Sequence, residues 1–376
     1  MKVATLKGAI LCLSSLFLAA IAAGQAPPPP LVSPEVQPDH RVTFRFRAPN
    51  AKEVAVQIEG VEKPLPMNQD ARGFWTVTTG PMAPDYYGYS FLADGVGLLD
   101  PSNYATKPNF LYRASEVHIP DAGLSWEVAE VPHGEIHHHF YESRVVGDHR
   151  GYFVYTPPGY DPRGKETYPV FYLLHGYSDD ASAWTAVGRA NVILDNLIAA
   201  GKAKPMLIVM TLGYGEPKIL LPNSGAFRDR ALTDRNFDKF REALLTEVMP
   251  RIESEYRVKT GRESRAIAGL SMGGAESLLT GLNTLDKFAW VGAFSSGGFT
   301  EDFAKEFPAL DERSGNQLRL LWIACGTEDR LIDINRKFRD WLKSKNVPHQ
   351  DVETPGMHTW MVWRRNLTEF APLLFR

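Results

Sequence analysis

The chain has 376 residues, of which 44% are hydrophobic and 23% charged, with a formal net charge of -3. That is enough apolar mass for one large core or two ordinary ones, and it excludes a chain too polar to fold. Acidic and basic residues are spread along the sequence, so there is neither the basic stripe of a nucleic-acid binder nor a polybasic membrane patch.

The first 24 residues read as a signal peptide. Lys2 and Lys7 precede an apolar run at 9–23 broken only by Ser14 and Ser15, and Ala20, Ala22, Ala23 and Gly24 supply the small residues of a cleavage site. The run is short for a bilayer span and no later stretch is long enough, so a secreted or periplasmic protein with no membrane association is expected. Cys12 leaves with the signal; Leu11 before it does not suit a lipoprotein site. Cys325 then stands alone in an apolar, strand-like run and reads as a buried structural thiol. Residues 25–35, with four consecutive prolines from Pro27 to Pro30, read as a stiff linker.

From 36 to 122 the pattern is short alternating segments punctuated by Pro, Gly, Asn and Asp. Arg41-Val42-Thr43-Phe44-Arg45-Phe46-Arg47, Val54-Ala55-Val56-Gln57-Ile58, Phe74-Trp75-Thr76-Val77 and Tyr86-Tyr87-Gly88-Tyr89-Ser90-Phe91 predict a small immunoglobulin-like β-sandwich. Trp75, Tyr86, Tyr87 and Tyr89 fit either its core or a sugar-stacking platform. A linker is expected over 122–135. His137-His138-His139 follow, but alternate faces in a strand, so at most two could share an ion and no metal site is expected.

From 136 to 376 strand-like runs alternate with helical ones, which predicts an α/β fold with a mostly parallel sheet covered on both faces. Strands are expected at 168–174, 205–210, 290–295 and 318–324, and helices at 191–200, 237–256 and 361–374. The irregular stretch 213–235 reads as a lid over the site. Gly269-Leu270-Ser271-Met272-Gly273-Gly274 is a G-x-S-x-G elbow between an apolar run and a helix-compatible one, which would lift Ser271 to the top of the sheet. A serine needs a base, and the base an orienting acid. Downstream of Ser271 the only histidines are His349 and His358. His358 sits in a loop entering the last helix and is the expected base, whereas His349 follows Pro348 and reads as a surface residue. Asp329, in Gly326-Thr327-Glu328-Asp329 after a strand, is the expected acid, ahead of Glu328 and Asp333. The backbone N–H groups of Met272 and of Tyr177, after His175-Gly176, are the expected oxyanion donors, with His175 a structural loop residue. Trp184, Trp360, Tyr177 and the lid could build a substrate slot.

The early stretch, with Phe44-Arg45-Phe46-Arg47-Ala48-Pro49-Asn50-Ala51 and Leu99-Asp100-Pro101, resembles early-set domains related to carbohydrate-binding module family 48. Over 143–376 the chain resembles carbohydrate esterase family 1. The resemblance rests on Val154-Tyr155-Thr156-Pro157-Pro158-Gly159-Tyr160, His175-Gly176-Tyr177-Ser178-Asp179-Asp180, Gly188-Arg189-Ala190-Asn191, the elbow, Gly326-Thr327-Glu328-Asp329 and Gly356-Met357-His358-Thr359-Trp360. It implies an α/β-hydrolase with Ser271, Asp329 and His358 as triad and no cofactor, acting on feruloyl esters of hemicellulose or a feruloylated oligosaccharide. An acetylxylan esterase, a siderophore esterase and a non-catalytic carbohydrate-binding protein are the alternatives.

Overall fold

In the computed structural model, residues 31–221, 225 and 228–376 are described. The expected signal peptide at 1–24 and most of the expected linker at 25–35 lie outside the described residues. No described helix is long and apolar enough to cross a membrane.

Period-two alternation does produce strands early in the chain: β1 (Val42–Arg47), β2 (Val54–Ile58), β3 (Phe74–Thr78), β4 (Asp85–Ala93) and β5 (Ala114–Ile119). β1 pairs with β3, and β4 lies between β2 and β5, all antiparallel. Shorter strands complete one four-stranded and one six-stranded sheet. The sheets share one core, with Phe44 against Tyr89 at 4.8 Å and Phe46 against Phe91 at 4.6 Å between ring centroids. Trp75, Tyr87 and Tyr89 are buried in it. Tyr86 faces the other way, stacked on His118 at 4.0 Å and beneath the Arg189 guanidinium at 4.9 Å. The four aromatics are therefore packing residues, and they form no exposed platform.

The second region is built on an eight-stranded sheet: β6 (Glu135–Ser143), β7 (Asp148–Thr156), β8 (Val170–Leu174), β9 (Leu207–Thr211), β10 (Arg265–Leu270), β11 (Trp290–Phe294), β12 (Leu320–Gly326) and β13 (Gln350–Thr354). Their order is β6-β7-β9-β8-β10-β11-β12-β13. β6 and β7 form an antiparallel hairpin, β7 joins β9 antiparallel, and the remaining pairings are parallel. The central strands are buried on both faces, which is why they read as unbroken apolar runs rather than alternating ones. Successive residues of β8 feed opposite cores: Val170, Tyr172 and Leu174 one, Phe171 and Leu173 the other.

Five longer helices cover the sheet: α1 (Ala190–Ala199), α2 (Arg230–Ala243), α3 (Met272–Gly281), α4 (Ile332–Ser344) and α5 (Trp360–Phe370). α1 and α5 cover one face, α2, α3 and α4 the other. The irregular stretch ends at 229 instead of 235, because the Asp229 side chain accepts from the Leu232 N–H and starts α2 early. The three neighbouring histidines pack as strand residues of β6, with His138 stacked on Phe153 and His139 on Tyr152.

Residues 32–376 form one compact unit. The stretch expected as a linker packs against the hydrolase region: Trp126 is buried in the core under α1 and α5, and Asn196 donates to the carbonyls of Ser125 and Glu127. α5 is shared by both regions. Its Met361 lies in the core between the antiparallel sheets, and its fully buried Arg364 bridges β4 to the backbone at Val187 of the hydrolase region. The Arg364 guanidinium donates to Asp85 (3.0 Å), the Tyr86 carbonyl (2.7 Å) and the Val187 carbonyl (2.7 Å). A buried charge is tolerated only when satisfied in this way.

Candidate active site

The site begins with a strained turn. β10 ends at Leu270, and Ser271 adopts φ +52° and ψ −114° before α3 opens at Met272. A side-chain-bearing residue avoids that region, so the surroundings must hold it there. The Ser271 N–H donates to the Phe294 carbonyl (2.8 Å) and its own carbonyl accepts from Gly297 (3.1 Å) and Ala275 (3.1 Å). Two glycines make the turn possible. A Cβ on Gly269 would sit 2.5 Å from the Gly273 carbonyl oxygen, and one on Gly273 would sit 2.4 Å from that of His175.

Asp329 stands in the turn after β12, with its side chain shut off from solvent. Burial alone would raise its pKa; hydrogen bonds from His358 and the Leu331 N–H (2.8 Å) outweigh burial and hold the carboxyl below its ordinary range. His358 Nδ1 donates to Asp329 Oδ2 at 2.7 Å, and its Nε2 accepts from the Ser271 hydroxyl at 3.0 Å. The loop carrying His358 turns at Gly356 (φ +127°) and is tied to the acid's turn by Glu328 N–H to the Gly356 carbonyl (3.1 Å). The imidazole edge rests on Trp363, 4.9 Å between centroids. Ser271, His358 and Asp329 are thus brought into one hydrogen-bonded chain, with the tautomer set by the carboxylate.

The neighbouring candidates stand apart. The Glu328 side chain is exposed and accepts from the adjacent Thr327 hydroxyl (3.1 Å), while Asp333 lies in the first turn of α4. His349 is not a surface residue: its side chain is packed, and Nδ1 donates to the Val347 carbonyl (2.8 Å). Burial, then the charge of Asp329, pushes the Cys325 thiol up to about 12, so it stays neutral and unreactive.

The His-Gly loop after β8 lies over the elbow. His175 is buried, its pKa pushed down to about 4, and both ring nitrogens are committed. Nδ1 donates to the Gly176 carbonyl (2.8 Å) and Nε2 accepts from the Gly213 N–H (2.9 Å), which ties this loop to the segment that follows β9. Gly176 permits the close approach, since a Cβ there would meet Leu270 Cδ1 at 2.5 Å. Tyr177 follows, its hydroxyl donating to the Ile219 carbonyl (3.0 Å).

A cleft of about 970 Å³ opens over Ser271 and His358. Gly176, Tyr177 and Trp360 line it, whereas Trp184 does not. Trp184 is 1% exposed, donates from Nε1 to the Leu174 carbonyl (2.8 Å) and meets Trp360 edge-on at 5.1 Å. It supports the wall from behind. Leu221, Gly225 and Arg228 of the irregular stretch expected over the site line the cleft too. Sequence reasoning missed other parts of the lining: Arg330 flanks the cleft, and the antiparallel region contributes Glu59, Lys107, Asn109, Leu111 and Tyr112. Glu59 accepts from Lys107 Nζ (2.8 Å), the Gly88 N–H (3.1 Å) and the Trp360 N–H (3.2 Å). No motif marks these residues; only folding brings them to the serine.

Comparison with known proteins places this geometry. The chain is 30% identical over 350 residues, 91% of its length, to an endo-1,4-beta-xylanase/feruloyl esterase of Xylanibacter ruminicola. It spans about half (46%) of that relative's length. A ferulic acid esterase structure from Anaeromyces mucronatus is 26% identical, covers 68% of this chain and 96% of its own, and superposes with a TM-score of 0.59. The enterobactin esterase of Shigella flexneri, 20% identical, covers 88% of this chain and 92% of its own with a TM-score of 0.65, a likeness of fold alone. The Esterase family model matches residues 143–374. With an elbow serine, a histidine and a buried aspartate joined at the ends of a mostly parallel sheet, the chain belongs to the Esterase family and has the α/β-hydrolase fold.

Proposed function

We propose that the protein is an exported serine esterase that releases feruloyl and related hydroxycinnamoyl groups from plant cell-wall xylan. The observation that carries the reaction type is His358 bridging Ser271 and Asp329 at 3.0 and 2.7 Å. The acyl group follows from the likeness to the feruloyl esterase of Xylanibacter ruminicola and the ferulic acid esterase of Anaeromyces mucronatus.

His358 Nε2 takes the proton of Ser271 as Oγ attacks the ester carbonyl. The backbone N–H groups of Met272 and Tyr177 receive the oxyanion, each contributing roughly 3 kcal/mol to the transition state. Met272 is the first residue of α3, where the helix leaves N–H groups without intrahelical acceptors. The ester C–O bond then breaks as His358 gives that proton to the departing sugar oxygen, leaving the acyl group on Ser271; water, deprotonated by the same imidazole, attacks the acyl carbon, and ferulate leaves as Ser271 Oγ takes the proton back. Asp329 holds the tautomer and stabilises the imidazolium throughout.

The test is release of ferulate from methyl ferulate and from feruloylated arabinoxylan, with Ser271→Ala alongside. The wild type is expected to turn over both, and the variant to lose roughly 10⁴-fold or more in kcat. Turnover of acetylated xylan alone would replace the acyl assignment, and hydrolysis of a catecholate siderophore ester alone would replace the substrate class. Xylan binding without turnover, unchanged in Ser271→Ala, would make it a binding protein.

A further inference from the structure

We propose that residues 107–112 of the antiparallel region form a subsite for the sugar on the alcohol side of the ester, with Tyr112 as its stacking surface. The inference rests on the esterase reading above and adds a second binding element to the same cleft.

The strap leaves the sheet just after the short strand Thr106–Lys107, which pairs with β5, and returns at Ala114. Between these points it is fixed to the hydrolase loop that carries Tyr177. Asn109 does this with both ends of its amide. Its Oδ1 accepts from the N–H groups of Leu111 (2.9 Å) and Tyr112 (2.7 Å), which folds the strap on itself. Its Nδ2 donates to Ser178 Oγ (3.0 Å) and Asp179 Oδ1 (2.8 Å). The Phe110 N–H donates to the Ser178 carbonyl (2.8 Å), and the Phe110 ring meets Tyr214 edge-on at 6.1 Å. At the other end, the part-buried Lys107–Glu59 pair anchors the strap to Trp360 of α5.

So firmly held a loop pays little ordering cost on binding. Yet its tip is left uncovered: Tyr112 lines the cleft and is 68% exposed. The two halves of the ester make different demands on such a residue. The acyl group ends within the cleft. The alcohol half is a sugar that continues into a chain and must run out past the mouth. An exposed ring at the mouth meets the half that leaves, and its flat apolar face with a hydroxyl at one end suits the C–H face of a sugar ring.

Kinetics on matched substrates test this. The ratio of kcat/KM for a feruloylated arabinoxylo-oligosaccharide to that for methyl ferulate is measured for wild type, Tyr112→Ala and Tyr112→Phe. Tyr112→Ala is expected to lower the ratio about tenfold, mainly through KM of the oligosaccharide, a loss typical of removing one well-placed aromatic contact. Tyr112→Phe keeps the ring and should restore most of it. An unchanged ratio in Tyr112→Ala, or an equal fall on both substrates, overturns the subsite. If wild type cleaves only acetyl esters, the feruloyl assignment fails, and the same ratio between an acetylated xylo-oligosaccharide and 4-nitrophenyl acetate still decides the subsite. Turnover of neither pair by wild type removes both readings.

Discussion

The eight-stranded sheet and the antiparallel strands before it reach the same cleft by different means. Ser271 and Asp329 each lie within a few residues of the carboxyl end of a parallel strand, and His358 lies four residues past β13, so the sheet places them directly. The antiparallel region offers side chains anchored across long separations. Glu59 meets Trp360 from 301 residues away, and Asn109 meets Asp179 from 70. The contrast teaches that reactive groups sit where the backbone alone fixes them, while the walls around them can be supplied by docking.

If that division holds, the largest effect on chemistry with the least effect on folding belongs to the triad. Asp329→Asn should lower kcat by roughly 10⁴-fold while the urea midpoint moves little, because the amide fills the same space but leaves His358 in the wrong tautomer. A large loss of stability instead would make Asp329 part of the scaffold and blur the distinction. The next effect reverses the pattern. Arg364→Ala leaves Asp85 buried without its partner and should cost about 3–5 kcal/mol in equilibrium unfolding. The loss should appear as an earlier single transition, since α5 belongs to both regions. Two separated transitions would show that the antiparallel strands unfold on their own, and the seam would then be a contact rather than a shared core.

The same contrast explains what could be read in advance. The elbow was legible because its demands are local: Gly269 and Gly273 have no room for a Cβ, and a G-x-S-x-G between an apolar run and a helix has few other uses. Asp329 and His358 followed from chain order and from the scarcity of downstream histidines. The parallel strands were legible as unbroken apolar runs, and β1 and β2 as alternating ones. The early start of α2 was hidden because an N-cap aspartate inside a polar stretch looks like loop. Trp184 was misplaced because an aromatic next to a site motif fits a slot and the wall behind it equally well. Glu59, Lys107, Asn109 and Tyr112 carry no pattern of their own. Their roles arise from a docking geometry encoded jointly by Asp85, Met361 and Arg364, which no short window of sequence contains.

Asp179 sharpens the comparison at its finest point, because it sits on the seam itself. It belongs to the loop that carries Tyr177, and its carboxyl accepts from Asn109 of the antiparallel region at 2.8 Å. Burial pushes its pKa up to about 7, against the pull of Lys107 and of the Asn109 hydrogen bond and with some push from Glu59 and Asp180. Unfolded, the same carboxyl titrates near its ordinary 3.8. Between those values the native protein holds a proton that the unfolded chain has released, so this group's contribution to stability is complete below about pH 4 and is lost as pH rises toward 7. Asp179→Asn keeps an oxygen for Asn109 and removes the titration. The stability of the variant relative to wild type should therefore climb between pH 4 and 7.5 by an amount on the order of 3 kcal/mol, read from urea midpoints across that range. A difference that stays flat with pH would mean that the carboxylate is already ionised in the native protein. The docked strap would then stabilise a charge there, and the seam would be an electrostatic clasp rather than a dry joint.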